Sequence, residues 1–176
     1  MIVDTSSLSE IETISIALRG LLAGTILVIF SSISFHVFGY SFGLSFIPIF
    51  VLMYWPLKAS RSWSLFFVFL IGLLQSAMGF APLGLWAFSY LTLFIIMGGE
   101  ITFSERLIPA WGAFFVCILF VGVILFFIGR LLLEQWPPLG PLAADAMASF
   151  LVFPLIFWFR KLTSNLGREP ERREIS

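Results

Sequence analysis

Charge is scarce in this chain, and that scarcity sets its class. Only 11% of the 176 residues are charged, while 60% are hydrophobic. Soluble domains average about 25% charged and about 45–50% apolar residues. A water-exposed fold of this size would lack the polar side chains to cover itself, so lipid is the solvent for most of the chain. Cysteine is almost absent. The single Cys117 lies in an apolar run, which excludes an intrachain disulfide framework or a paired-thiol metal site. It reads as a small buried hydrophobe. The single histidine, His36, has no Cys or second His to complete a zinc site. No Gly-rich phosphate loop or nucleophile–base pair stands out. The apolar stretches also lack the paired carboxylates of acid–base catalysis. The expectation is therefore a protein without catalysis, cofactor or metal. Asp4, Glu10 and Glu12 put acid where a secretory signal carries basic residues, so the first apolar segment is expected to be retained.

What is present is a series of apolar runs. A spanning helix needs about 20 mostly apolar residues to cross a hydrocarbon core of about 30 Å. Ser9 and Glu12 have capping-box spacing ahead of a first span from about Ile16 to Phe38. A turn over Gly39 to Gly43 precedes a short run, Leu44 to Trp55, interrupted by Pro48. This second span reads as a short, tilted or re-entrant segment. The third runs from about Trp63 to Gly79. The fourth runs from about Leu83 to Met97, with Pro82 suited to its first turn. The fifth lies between Arg106 and Arg130, and the sixth between Pro141 and Arg160, with a kink expected at Pro154. The fold class expected is all-α: a polytopic membrane protein of about six transmembrane helices. It forms one domain over residues 1–160, followed by a polar cytoplasmic tail over 161–176.

The cations are sorted to one side of that layout. Lys58, Arg61, Arg106, Arg160, Lys161, Arg168, Arg172 and Arg173 all fall on the side of the N-terminus. The other side has Arg130, offset by Glu134. The positive-inside rule then places both termini in the cytoplasm. The tail mixes its cations with Glu169, Glu171 and Glu174 and lacks interleaved aromatics, which argues against nucleic acid. It suits anionic lipid headgroups instead.

Polar or small residues within the apolar runs are the candidate contacts. Asp145 lies one turn into the sixth span. It is either an intramembrane polar contact, with Arg130 or a partner subunit, or a residue wetted at the outer interface. Gln75 and Ser76 can hydrogen-bond between helices. Gly20 with Gly24, and Ala144 with Ala148, are small-residue pairs that allow close helix approach. They are the candidate packing or partner surfaces. Arg19 and Glu100 sit near membrane boundaries, where long side chains snorkel.

Three stretches carry a resemblance: Pro48 with Phe50-Val-Leu-Met-Tyr54-Trp55-Pro56, then Phe69-Leu-Ile-Gly72-Leu73-Leu74-Gln75, then Pro82-Leu83-Gly84-Leu85-Trp86-Ala87. Together with the length and the six-span layout, they resemble the bacterial rod shape-determining MreD family. The chain departs from the family pattern at Ser76, where an aspartate usually follows the Gly-Leu-Leu-Gln stretch. The resemblance implies a non-enzymatic subunit of the lateral cell-wall elongation machinery. The implied partners are a single-span MreC-like protein, MreB, RodA and a transpeptidase. It also implies a fold similar to the substrate-binding subunits of energy-coupling-factor transporters. That similarity supplies an alternative reading as a vitamin-binding transporter subunit.

Overall fold

The computed structural model describes residues 5–33, 35–37, 40–55, 61–79, 81–97, 106–134 and 138–166. Among them are six helices, α1 (Thr5–Ser31), α2 (Ile49–Met53), α3 (Arg61–Met78), α4 (Leu85–Ile96), α5 (Leu107–Leu133) and α6 (Leu139–Leu166), with strands β1 (Phe35–Val37) and β2 (Tyr40–Phe42). Four helices are long and apolar enough to cross a membrane, over Ile14–Ser31, Arg61–Met78, Leu107–Leu132 and Leu139–Lys161. The chain is a helical, multi-pass membrane protein. α1, α3, α4, α5 and α6 pack in succession, and α2 lies among them against α1, α4 and α5.

Several expected boundaries move. α1 begins at Thr5, so Ser9 is inside the helix and not its N-cap. The first helix also ends at Ser31, short of the expected Phe38. The Ser31 and Ser32 hydroxyls both turn back onto the Val28 carbonyl, at 2.8 and 2.9 Å, a local bond that competes with helix continuation. Beyond it the chain forms a small antiparallel hairpin, an addition to a fold that is otherwise all-α as expected. Phe35 pairs with Phe42, His36 with Ser41 and Val37 with Tyr40. α4 starts at Leu85, and Pro82 belongs to the turn before it, where its carbonyl accepts from the Leu85 N–H at 3.1 Å. Gly84 takes φ 91° as the N-cap of α4, a left-handed conformation that costs glycine little. α6 continues past Arg160 to Leu166, so the polar tail drawn from Lys161 begins as helix. Lys58, Glu100, Arg168, Arg172 and Arg173 lie outside the described residues.

The segment from Gly43 to Trp55 is the centre of the molecule. Phe46, Ile47 and Ile49 are fully buried, and Leu44, Phe50, Val51, Leu52, Met53 and Trp55 are buried beside them. Only five residues are α-helical. Before and through them the backbone bonds reach back three residues, from Ile47 to Leu44, Ile49 to Phe46, Phe50 to Ile47 and Val51 to Pro48, at 2.9–3.1 Å. Such winding rises about 2.0 Å per residue against about 1.5 Å for an α-helix, so a short segment travels further. It follows α6 in the same direction: Ser45 meets Asp145, Phe46 meets Ser149, Phe50 meets Phe153, and Tyr54 meets Phe157 and Arg160. Asp145 to Arg160 spans about 22 Å of helix. The segment thus runs from one end of the bundle toward the other, with irregular backbone buried in protein. Lipid-exposed irregular backbone would leave polar groups without partners.

Candidate functional site

Pro48 creates the first demand. It has no N–H, so the three-residue ladder misses the bond to the Ser45 carbonyl. Gln75 of α3 supplies it: Nε2 donates to that carbonyl at 3.3 Å. The other end of the same amide, Oε1, lies 3.2 Å from the Ser31 hydroxyl of α1. Gln75 is buried and ties three elements together.

Asp145 holds the start of the segment. Its Oδ1 accepts the Gly43 backbone N–H at 2.7 Å, and its Oδ2 accepts the Ser45 hydroxyl at 2.6 Å. One turn further along α6, the buried Ser149 hydroxyl accepts the Phe46 N–H at 3.3 Å. Asp145 is therefore an internal latch whose partners come from the central segment. Arg130, one of its expected partners, donates instead to the Glu134 carbonyl at the C-terminus of α5. Ser76, fully buried, donates to the Gly72 carbonyl at 3.1 Å and accepts the Trp86 N–H at 3.3 Å. Trp86 is the second residue of α4, and Gly84 at its N-cap has no side chain. Ser76 thus provides the cap from a different helix.

The glycines separate in role. A Cβ on Gly24 would overlap the Ile71 side chain, lying 2.9 Å from Cγ1, and one on Gly20 would lie 3.0–3.2 Å from the Trp55 ring. Both glycines are buried by this chain's own residues, so they pack α1 against the rest of the chain. Gly72 makes the closest approach. A Cβ there would lie 2.6 Å from the Ala87 nitrogen and 3.0 Å from the Trp86 carbonyl carbon. Neither Gly72 nor Ala87 was among the candidate contacts, because their small–small match lies between two different helices. Ala144 and Ala148 are half-buried on α6. Cys117 is buried, as expected. Of His36 only the backbone is described.

Trp55 closes the far end of the segment. Its Nε1 donates to the buried Ser64 hydroxyl of α3 at 2.8 Å, and its ring meets Phe94 edge-on at 5.9 Å. α6 repeats the Pro48 device. Pro154 lacks the N–H that would reach the Phe150 carbonyl four residues earlier, and Trp111 Nε1 of α5 donates to that carbonyl at 2.9 Å. Gln75, Ser76, Asp145, Ser149, Trp55 and Trp111 thus form an internal frame, while the fully buried Tyr90 hydroxyl has no hydrogen-bond partner among the described residues. Comparisons with protein-family models, curated proteins and solved structures found no match.

Proposed function

We propose that this chain is a non-catalytic membrane subunit of the MreD type, which assembles with a single-span MreC-like protein in the machinery that elongates the bacterial cell wall. One observation carries the reading. The three stretches that resemble the family meet one another in space: Gln75 bonds the backbone freed by Pro48, Gly72 abuts Ala87, and Ser76 caps α4 at Trp86. A helix N-terminus also favours negative charge. An aspartate at position 76, as in the family, would suit that same place. The residues behind the likeness act as one joint, which favours a common fold over a chance match of apolar runs.

In this reading the chain crosses the membrane six times with both termini in the cytoplasm. The central segment and α4 are the short crossings, and Arg61, Arg106, Arg160 and Lys161 lie on the cytoplasmic side. Ala144 and Ala148 remain the candidate partner contact, since they are not fully covered by the chain itself. The test is copurification of the tagged protein from a rod-shaped bacterium in mild detergent. The MreC-like protein should copurify, and deletion should make the cells round. Ala148→Leu should reduce copurification while membrane insertion stays normal. Unchanged cell shape and partner localisation after deletion would reject the proposal. A large thermal stabilisation by one member of a vitamin panel would favour the transporter-subunit alternative, since a ligand specific to the folded state must stabilise it.

A further inference from the structure

α5 and α6 do not close against each other along their whole length. Between the second half of α5 and the first turns of α6 lies a groove of about 440 Å³, lined by Gly122, Phe126, Leu142, Ala143 and Ala146, with Phe46 at its floor. All of these are apolar. Small residues on facing helices ordinarily let the backbones approach. Here the space stays open, and a Cβ on Gly122 would meet nothing within 4 Å. A water needs two to four polar partners to be held in such a place, and this lining supplies no polar side chain. A hydrocarbon chain is the occupant that fits a groove in a membrane-spanning pair of helices.

A cation lies beyond the groove, with the acidic Glu134 four residues after it. Arg130 is one turn past Phe126 on the same face of α5 and is half-buried. It is about 12 Å along the helix from Gly122, on the way out of the apolar region. Its guanidinium donates to the Glu134 carbonyl, and a guanidinium carries five donors in a planar fork that matches a phosphate. We propose that the α5–α6 groove holds one acyl chain of a phospholipid whose phosphate is met by Arg130. The ligand's two ends match the two chemistries in order: hydrocarbon against Gly122 and Phe126, phosphate against the cation one turn outward. Because Phe46 forms the floor, the chain would lie against the central segment itself. This inference is independent of the proposed function.

The experiment is native mass spectrometry of the full chain in mild detergent with added phosphatidylglycerol, set against diacylglycerol of the same chains. Phosphatidylglycerol should be retained about tenfold better than diacylglycerol, the scale of one charge-assisted contact. Arg130→Gln should remove that preference, and Arg130→Lys should keep part of it. Gly122→Leu should reduce retention of both lipids at least about fivefold with lipid-free thermal stability unchanged, because the new side chain enters open space. Ala143→Leu serves as the second filling variant if the first fails to fold. Equal retention of the two lipids by the unaltered protein would overturn the phosphate assignment, and displacement of phosphatidylglycerol by millimolar inorganic phosphate alone would reveal a free-anion site and overturn the lipid as its occupant. Undiminished retention in both folded filling variants would overturn the groove. A second copy or another protein crosslinked at Gly122, with lipid occupancy unaffected by the filling variants, would overturn it too.

Discussion

Pro48 lies in a segment that faces protein on all sides, and Pro154 lies in a helix with one side toward lipid. Each removes a backbone donor, and each leaves a carbonyl that a side chain from another helix satisfies: Gln75 for Ser45, Trp111 for Phe150. The outcomes differ. α6 continues through Pro154 over 28 residues, whereas the α-helix after Pro48 is five residues long. The flanks explain the contrast. Pro154 interrupts a long ladder, so the lost bond is one among many. Around Pro48 the winding is already tighter, and Gly43, Ser45 and Phe46 bond outward to α6. Irregular backbone survives at membrane depth where the neighbours supply its partners, and Asp145, Ser149 and Gln75 are those neighbours. Apolar content is high in both regions. What separates them is which polar groups converge on each.

Among the polar contacts, the largest expected effect breaks the latch. Asp145→Ala leaves the Gly43 N–H and the Ser45 hydroxyl without their acceptor and should cost about 2–3 kcal/mol, since bonds to a charged group are the stronger class. Thermal unfolding in detergent checks this, and a loss below about 0.5 kcal/mol would show that the segment is held by packing alone. Gln75→Leu should cost about 1–3 kcal/mol by orphaning the Ser45 carbonyl. Adding Pro48→Ala should recover part of the loss by restoring a local N–H. Trp111→Phe should cost about 1 kcal/mol, near the middle of the range for a single neutral bond. In a Pro154→Ala background, where α6 has its own donor for Phe150, the same change should lose most of that cost. A double-mutant cycle reads the difference, and equal costs in both backgrounds would remove Pro154 as the reason for the Trp111 bond. The smallest effect lies on the lipid side. Leu151 is 67% exposed on α6, and Leu151→Ala should change stability by less than about 0.5 kcal/mol. Phe50→Ala, in the buried segment, should cost about 3–5 kcal/mol.

The long helices were readable because they need only length and apolar content, and α3 and α5 fell close to their expected limits. The short second span was also readable as irregular, from Pro48 and its brief apolar run. The hairpin was not. Phe35-His-Val37 and Tyr40-Ser-Phe42 alternate weakly inside a run apolar enough to pass for helix, and the Ser31–Ser32 stop acts through side-chain bonds that hydropathy does not weigh. Gln75, Ser76 and Asp145 were recognised as polar contacts, but their partners were out of reach. Gly43 is 102 positions from Asp145, and the reading from sequence offered Arg130, a partner subunit or interfacial water instead. Gly20 and Gly24 read as close-approach residues from their spacing. Whether they meet another protein or Ile71 and Trp55 of the same chain depends on packing that spacing along one helix does not encode.

The latch between Gly43 and Asp145 has a consequence for biogenesis. A membrane protein is inserted from its N-terminus as it is made, yet the central segment depends on an acceptor in the last helix. Until α6 arrives, the Gly43 N–H and the Ser45 hydroxyl have no Asp145 to bond, and the carbonyl freed by Pro48 relies on Gln75 alone. The early helices therefore enter the bilayer around a core that is not yet held in place. The latch forms late, once α6 docks. A nascent chain halted before residue 139 should expose the central segment to labelling and to quality-control proteolysis, and release of the full-length chain should end that exposure in a single step.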